Sequence, residues 1–198
     1  MAPPGVNGTR YRRGVSAPIA CTLWHGPLGP TGLVSRGGAL FAIRLQADPG
    51  RFAEEVERAY GSTGSEDRAA LAGAIGQLEE YVAGSRLAFD LPIDLDQGTP
   101  FQQRVWRALL EIPYGTTVSY AAVARRIASP GGVRAVGKAN GANPLPIVVP
   151  CHRVVAAGGK VGGFSAGLEL KRRLLDLETG VTLARSQHGL FEPATGTW

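Results

Sequence analysis

A short polar joint, residues 96–99, separates two stretches of opposite charge in this chain of 198 residues. Residues 17–98 carry six arginines and eleven acidic side chains, whereas residues 99–180 carry eleven basic and four acidic side chains. Thr99 and Pro100 have the pattern of a helix N-cap followed by proline at the first helical position. The chain is therefore predicted to form two modules, and the basic one is expected to seek a polyanion such as nucleic acid. A solvated basic surface would carry the same charge, so that alternative stays open.

The composition argues against a membrane-spanning protein and against a secreted one. Hydrophobic residues make up 44% of the chain, but no apolar run approaches the roughly 18 residues that a membrane span requires. Residues 1–16 contain basic side chains with no apolar stretch after them, so they are predicted to be a flexible tail and not a secretory signal. We therefore expect a cytoplasmic protein that makes no membrane contact.

The two cysteines and three histidines predict neither a disulfide nor a metal site. Cys21 and Cys151 are far apart and lack the spacing of a disulfide framework. Only His25 lies near Cys21, and a structural zinc site needs four ligands. We expect no metal and no cofactor.

The acidic half alternates short apolar runs with turns that contain glycine and proline. Strands are predicted at residues 19–24, 32–35, 39–45 and 89–95, and helices at residues 54–60 and 66–82. Residues 17–96 are therefore predicted to form a small α+β domain with an antiparallel sheet. The half contains no catalytic constellation, so its expected role is that of a scaffold.

The basic half has the proportions of a winged helix-turn-helix. Helices are predicted at residues 100–112, 120–127, 133–141 and 167–178, two strands of a wing within residues 154–164, and a loose tail at residues 183–198. Ser119 is the expected N-cap of the second helix. The last helix is expected to bury Leu168 and to expose Lys171. Residues 97–182 are therefore predicted to form the second domain of an α+β protein.

Cys151 is the cysteine whose surroundings favour chemistry. Residues 147–149 form a β-branched run between two prolines, which predicts a buried strand that ends next to Cys151. His152 and Arg153 follow at once, and a buried inert cysteine rarely has two such polar neighbours. Free cysteine is nevertheless among the most buried residue types, so a packing role is the alternative.

The run Pro150-Cys151-His152-Arg153-Val154, preceded by Arg134-Ala135-Val136-Gly137 and Asn143-Pro144, strongly resembles the O(6)-alkylguanine-DNA alkyltransferases, also called methylated-DNA-protein-cysteine methyltransferases. The match covers residues 99–180 closely and the first half only in its pattern of strands and helices. Members of this family flip a damaged guanine out of duplex DNA and move its alkyl group irreversibly onto their own cysteine. The resemblance therefore implies a DNA-repair protein of which each molecule acts once.

The resemblance assigns the reaction to four residues. Cys151 would be the nucleophile and alkyl acceptor, His152 would accept the thiol proton through a bound water, and Glu178 would orient His152. This array suits the chemistry because the thiolate is the reactive form and an unperturbed thiol is mostly protonated at neutral pH. Tyr120 would donate a proton toward the guanine ring, and its alternative is an ordinary core aromatic. Glu178 is expected at a helix end, where the dipole disfavours a negative charge and a solvated residue is the alternative.

Further residues would bind the base and the DNA. Asn143 corresponds to the family's hinge asparagine, although it could also be a helix C-cap. Arg134 corresponds to the side chain that fills the place of the flipped guanine, and its alternative is a solvated cation. The remaining candidates are Val154, Phe164 and Ser165 for the base, and Ala135, Lys138 and Tyr120 for the DNA. Many relatives have tyrosine at the position of Phe164 and glycine at that of Ala166, so a narrower pocket is expected here.

The sequence thus predicts direct reversal of O(6)-alkylguanine damage by Cys151. The expected partner is double-stranded DNA, approached through the minor groove with the alkylated guanine flipped out, by a monomer that could bind cooperatively. One alternative is a winged-helix DNA-binding protein or alkylation sensor without chemistry, and stable alkylation of the chain would separate the two. The other is a Cys-His hydrolase, which would turn over many times.

Overall fold

The computed structural model describes residues 17–60 and 64–187, and its first part contains a four-stranded sheet. The strands are β1 (Ile19–Gly26), β2 (Gly29–Arg36), β3 (Ala39–Leu45) and β4 (Ser65–Glu66), in the order β3-β2-β1-β4. The first three are antiparallel neighbours, as predicted, whereas the short β4 pairs in parallel with β1. Gly37 and Gly38 have φ of 58° and 84°, a conformation that glycine tolerates, and they join β2 to β3 in a tight hairpin.

Two helices, α1 (Phe52–Tyr60) and α2 (Ala72–Val82), cover opposite faces of this sheet. Leu33 packs in the same cluster as α2, and its neighbour Val34 packs with α1, because successive strand residues point to opposite faces. The helix predicted at residues 66–82 begins only at Ala72. Glu66, predicted as the first residue of this helix, is instead part of β4, and a turn lies between β4 and α2.

Residues 89–95, predicted as a strand, form only an isolated bridge between Leu40 and Ile93. Leu40 N donates to the Pro92 carbonyl at 2.7 Å, and Asp94 N donates to the Leu40 carbonyl at 2.9 Å. Pro92 has no N–H with which to extend a ladder. The segment therefore runs along β3 without becoming a regular strand.

The second half is built from short helices, two short strands and a long final helix. These elements are α3 (Pro100–Leu110), β5 (Val118–Ser119), α4 (Tyr120–Arg126), α5 (Val133–Gly141), β6 (Val154–Val155) and α6 (Leu168–Gln187). Thr99 caps α3 in a capping box with Gln102, and Ser119 caps α4 by accepting a hydrogen bond from Ala122 N. The predicted starts of α3 and α4 and both ends of α5 are confirmed.

Residues 147–149 do not form the predicted strand. They belong to a turn in which Pro146 bridges to Val149, and Ile147 has a φ of 77°. A β-branched residue in this conformation costs about 1–3 kcal/mol, and the burial of Ile147 helps to offset that cost. A strand and a buried turn can both read as a short apolar run bounded by prolines, so the sequence pattern could not separate them.

The wing also differs from the prediction. β6 pairs in parallel with β5, so that Val154 lies beside Val118, and a 3₁₀ turn at Ala157–Gly159 follows. Ala156 N donates to the Lys160 carbonyl at 2.8 Å and closes this loop. The second of the two strands predicted within residues 154–164 does not form, because residues 160–164 have no strand structure.

The final helix is longer than predicted. α6 continues past Glu178 to Gln187, so residues 183–187 are helical and not a loose tail, and Glu178 lies within the helix instead of at its end. Leu168 is 43% exposed and Lys171 is fully buried, so the predictions for these two side chains are wrong. The tail predicted at residues 1–16 and the rest of the C-terminal one lie outside the described residues.

One hydrophobic core runs through both halves of the protein, from Leu33 in the sheet through Leu78 of α2 to Leu109 and Leu174 of the second half. The domain boundary at residues 96–99 thus stays a prediction from the sequence. Within the described ranges, no helix is long and apolar enough to cross a bilayer. The same ranges hold no cluster of side chains suited to a metal ion.

Candidate active site

Cys151 is buried at the start of a 3₁₀ turn, Cys151–Arg153, with 3% of its surface exposed. Its N donates to the Val149 carbonyl at 2.8 Å. Burial raises the pKa of the thiol to about 11, although a hydrogen bond with Asn143 and the charge of Lys171 oppose the rise. The thiol is therefore protonated at neutral pH, and a nucleophilic thiolate requires a base in the site.

Two asparagines connect α5 to the turn that carries Cys151. Asn143, just after α5, donates from Nδ2 to the Val149 carbonyl at 2.8 Å and accepts from Leu145 N at 3.0 Å. Asn140, within α5, donates from Nδ2 to the Cys151 carbonyl at 3.3 Å. Asn143 was predicted as a hinge residue, whereas Asn140 was expected on the outer face of the helix and is instead buried. These bonds tie the cysteine backbone to α5.

His152 is fully buried and faces Glu178, whose side chain is 1% exposed. His152 Nε2 lies 3.0 Å from Glu178 Oε1. Burial lowers the pKa of His152, and this effect outweighs the opposing influence of Glu178, so the imidazole is neutral at neutral pH. Nδ1 is buried and has no hydrogen-bond partner among the described residues. With the Nε2 proton held by the carboxylate, Nδ1 is the nitrogen that can accept a proton.

Arg153 forms a buried ion pair with the same carboxylate. Its Nε donates to Glu178 Oε2 at 3.0 Å and its Nη2 to Oε1 at 2.8 Å, while Nη1 donates to the Ile112 carbonyl at 2.6 Å. Gly115 N donates to Oε2 at 3.0 Å. Burial alone would raise the pKa of Glu178, but hydrogen bonding with His152 and the charge of Arg153 lower it to about 2. Glu178 is therefore an anion that orients both neighbours.

Tyr81 of α2 reaches this carboxylate from the first half of the chain. Its Oη donates to Glu178 Oε1 at 2.8 Å and lies 3.4 Å from His152 Nε2. Tyr81 was not among the predicted site residues, although it lies three residues after Leu78 on the same buried helical face. The first half thus contributes a hydrogen bond to the candidate site, which was not predicted from the sequence.

Lys171 of α6 is a second buried cation beside the cysteine, and not the exposed residue that was predicted. Its Nζ donates to the Val154 carbonyl at 2.6 Å and to the Gly163 carbonyl at 3.3 Å. Burial lowers the pKa of Lys171 to about 8, although the charge of Cys151 opposes the shift. Val154, predicted to bind the base, is itself fully buried and offers the lysine its carbonyl. Lys171 therefore joins β6 to the loop before α6.

Tyr120 and the loop before α6 lie on the Cys151 side of the site. Burial raises the pKa of Tyr120, and the charge of Cys151 adds to the rise, which indicates that the two groups are neighbours. A Cβ placed on Gly162 would lie 3.5 Å from Tyr120 Oη, so the loop backbone packs against this ring. Phe164 packs against the main core, whereas Ser165 is exposed. Tyr120 is thus near enough to Cys151 for the charge of the cysteine to affect it.

The outer face of α5 presents the residues predicted to contact DNA. Arg134, Ala135 and Lys138 are exposed, while Val136 and Ala139 are buried on the opposite face. A Cβ on Gly137 would lie 4.0 Å from Tyr120 Cε1. The predicted DNA-contacting face of α5 therefore adjoins the candidate active site.

Two family models match nearly the whole described chain. The model for the DNA binding domain of 6-O-methylguanine DNA methyltransferase matches residues 100–180. The model for the ribonuclease-like domain of the same protein matches residues 19–95. The second match covers the half in which sequence analysis found only a general similarity.

Curated relatives and solved structures agree with these matches. The methylated-DNA--protein-cysteine methyltransferase of Mycobacterium tuberculosis is 46% identical over 152 residues, which cover 77% of this chain and 87% of the relative. The crystal structure of M. tuberculosis OGT in complex with DNA is 43% identical, covers 82% of this chain and 94% of that chain, and superposes with a TM-score of 0.73. The enzyme from Pyrococcus kodakaraensis superposes with a TM-score of 0.59 at 25% identity, over 81% of this chain and 98% of that chain. The chain belongs to the 6-O-methylguanine DNA methyltransferase family.

Proposed function

We propose that this protein repairs O(6)-alkylguanine in DNA by moving the alkyl group onto Cys151 Sγ, one group per molecule. The observation that carries the assignment is the neutral, buried His152 directly after Cys151, with its Nε2 held by the Glu178 carboxylate. Family membership supports direct reversal of the damage. A winged-helix DNA-binding protein without chemistry is the less favoured alternative.

The chemistry needs one proton to leave the thiol and one to reach the leaving base. His152 Nδ1 takes up the thiol proton through a bound water, and Sγ attacks the alkyl carbon as the bond from that carbon to guanine O(6) breaks. The bonding electrons pass to the guanine, and Tyr120 donates a proton to its ring. The products are guanine and an S-alkylcysteine, and a thioether offers no ready way back. Each molecule is therefore consumed by its reaction.

The protein binds DNA, and we propose that it does so through the outer face of α5. Arg134, Ala135 and Lys138 would contact the minor groove, with Arg134 filling the space left by the flipped guanine. Asn143, Val154, Phe164 and Ser165 would surround the flipped base, and Tyr120 would serve both base and DNA. Flipping costs a few kcal/mol in unstacking and lost pairing, so an inserted side chain would lower that cost. A monomer suffices for this arrangement.

Two further statements stay predictions from the sequence. One is the cytoplasmic location. The other is the division into domains at residues 17–96 and 97–182, with tails at residues 1–16 and 183–198. The predicted C-terminal tail is shorter than expected, because α6 extends to Gln187.

A titration of damage against protein tests the proposed reaction. A duplex with one O(6)-methylguanine is held in excess over the protein, and restored guanine is counted after long incubation. We expect repair to stop at one guanine per protein molecule. Cys21→Ser is the matched control, because Cys21 is also a buried free cysteine, and it should repair normally. Repair of several guanines per molecule would contradict the proposal.

A further inference from the structure

We infer that Tyr81, contributed by α2 of the first half, is a positioning residue of the relay that activates Cys151. The inference rests on the proposed function, in which His152 accepts the thiol proton. It extends that function because it makes one side chain of the first half part of the catalytic machinery.

Among the described residues, the hydrogen-bond contacts of Tyr81 Oη are with Glu178 and His152. Oη lies 2.8 Å from Glu178 Oε1 and 3.4 Å from His152 Nε2, and all three residues are buried. The same Oε1 lies 3.0 Å from His152 Nε2 and 2.8 Å from Arg153 Nη2. Glu178 Oε1 is therefore the common hydrogen-bond acceptor of Tyr81, His152 and Arg153.

The direction of each hydrogen bond follows from the ionised carboxylate. An ionised carboxylate can only accept, so Tyr81 Oη must donate to Oε1. The lone pairs of that hydroxyl oxygen are then free to face the Nε2–H group of His152. The imidazole proton is held between two oxygens, and this arrangement favours the tautomer in which Nδ1 is unprotonated.

The position of Tyr81 is itself fixed by packing against residues of both halves of the chain. Its ring lies 5.4 Å from the ring of Phe89 and 5.9 Å from that of Tyr114, measured between centroids. Beyond the end of α2, Arg185 of α6 donates to the Gly84 carbonyl at 3.1 Å. α2 and α6 are thus joined both at the relay and near the end of α2, so Tyr81 cannot shift freely from Glu178.

Other charges around the relay bear on its titration and remain in place when Tyr81 changes. Arg153 pairs with Glu178, and Lys171 acts on His152 from the same helix as Glu178. Tyr114, in the loop before β5, also lies near Glu178, but burial raises its pKa to about 12, so its hydroxyl is neutral at neutral pH. Removing the Tyr81 hydroxyl leaves these groups in place but takes one hydrogen-bond donor away from Glu178. The carboxylate then interacts more strongly with His152. We therefore expect the pKa of His152 to rise.

Tyr81→Phe removes this hydroxyl and keeps the ring, and Tyr114→Phe is its matched control. Tyr114 is likewise buried beside Arg153, but its hydroxyl has no hydrogen-bond partner among the described residues. Two quantities are measured in the full-length wild type and both variants. The first is the single-turnover rate with free O(6)-benzylguanine, which avoids any effect on DNA binding. The second is the titration of the His152 imidazole by nitrogen-15 NMR, assigned with His152→Asn.

Tyr81→Phe is expected to react about tenfold more slowly at neutral pH, a part of the roughly 10²- to 10⁴-fold that general-base assistance supplies. Its His152 should titrate about half a pH unit or more above wild type, since a hydrogen bond is worth about 1 kcal/mol. Tyr114→Phe should match wild type in both measurements. Unchanged rate, unchanged titration, or an equal change in Tyr114→Phe would each overturn the inference.

The two hypotheses fail in different ways. If wild type transfers no alkyl group but Tyr81→Phe still shifts the His152 titration, the proposed function falls and the positioning role stands. If wild type reacts normally and Tyr81→Phe only melts at a lower temperature, the positioning role falls and the proposed function stands.

Discussion

Replacing Glu178 with glutamine should cost about 3 kcal/mol of pH-dependent folding free energy at neutral pH. The fold lowers the pKa of this buried carboxyl from 4.5 to about 2. One pKa unit corresponds to about 1.4 kcal/mol, so the ionised form is favoured in the folded state by roughly 3 kcal/mol. Because the folded-state pKa is depressed, this stability is present above the unfolded pKa of 4.5 and is lost as pH falls through 2. At a pH of about 3, only about 1 kcal/mol should be left.

Urea unfolding of wild type and Glu178→Gln at several pH values between 7 and 3 measures this quantity. The loss of the Arg153 ion pair is part of this pH-dependent cost, since the charge of Arg153 helps to lower the pKa, and any change in packing adds a cost that does not depend on pH. The change in the wild-type advantage between pH 7 and pH 3 is therefore the diagnostic value, and we expect it to shrink by about 2 kcal/mol.

Glu111→Gln provides the matched control for a surface carboxylate. Glu111 pairs with Arg126, and both side chains are about half exposed. Exposed pairs typically contribute less than about 1 kcal/mol. If Glu178→Gln lost no more stability than Glu111→Gln, or if its deficit stayed constant from pH 7 to pH 3, the assignment of Glu178 as a buried anion would be refuted.

Three further predictions concern DNA and the pocket. Arg134→Ala should slow repair of duplex DNA about tenfold, because no side chain would then fill the space left by the flipped guanine, and should leave the rate with free O(6)-benzylguanine unchanged. Equal losses on both substrates would show that Arg134 has no role in base flipping. Affinity for DNA should fall with salt, with a log-log slope of roughly −5 if about six phosphate contacts form, and a flat titration would contradict binding by the basic half. Ala166→Gly should raise about fivefold the ratio of the rate with benzylated guanine to the rate with methylated guanine, because Ala166 packs in the loop beside the core. An unchanged ratio would show that the Cβ of Ala166 does not limit the size of the pocket.

Local signals in the sequence predicted the parts of the fold that depend on local chemistry. Thr99 and Ser119 each accept a hydrogen bond from the backbone N–H three residues further along the chain, so these caps could be identified in advance. The strand prediction for residues 147–149 was wrong because a buried turn and a buried strand can have the same composition. The family motif, and not periodicity, supplied the candidate roles of Cys151 and Glu178.

The contacts that assemble the site were beyond such reasoning because they join residues far apart in sequence. Tyr81 and Glu178 are separated by 97 positions, and nothing near either residue indicates the other. Lys171 stands in a run of three basic residues, which favours an exposed face. Its burial depends on the carbonyls of Val154 and Gly163, which only the folded chain brings to its ammonium group.

The measurement that tests the central claim most directly is the intact mass of the protein after incubation with a duplex that contains O(6)-methylguanine, followed by peptide mapping. We predict that each chain gains one methyl group, that the group resides on Cys151, and that Cys151→Ser gains none while still binding the duplex. Cys21→Ser should gain one methyl group like wild type. An unmodified wild-type chain, or a methyl group on any residue other than Cys151, would contradict the account.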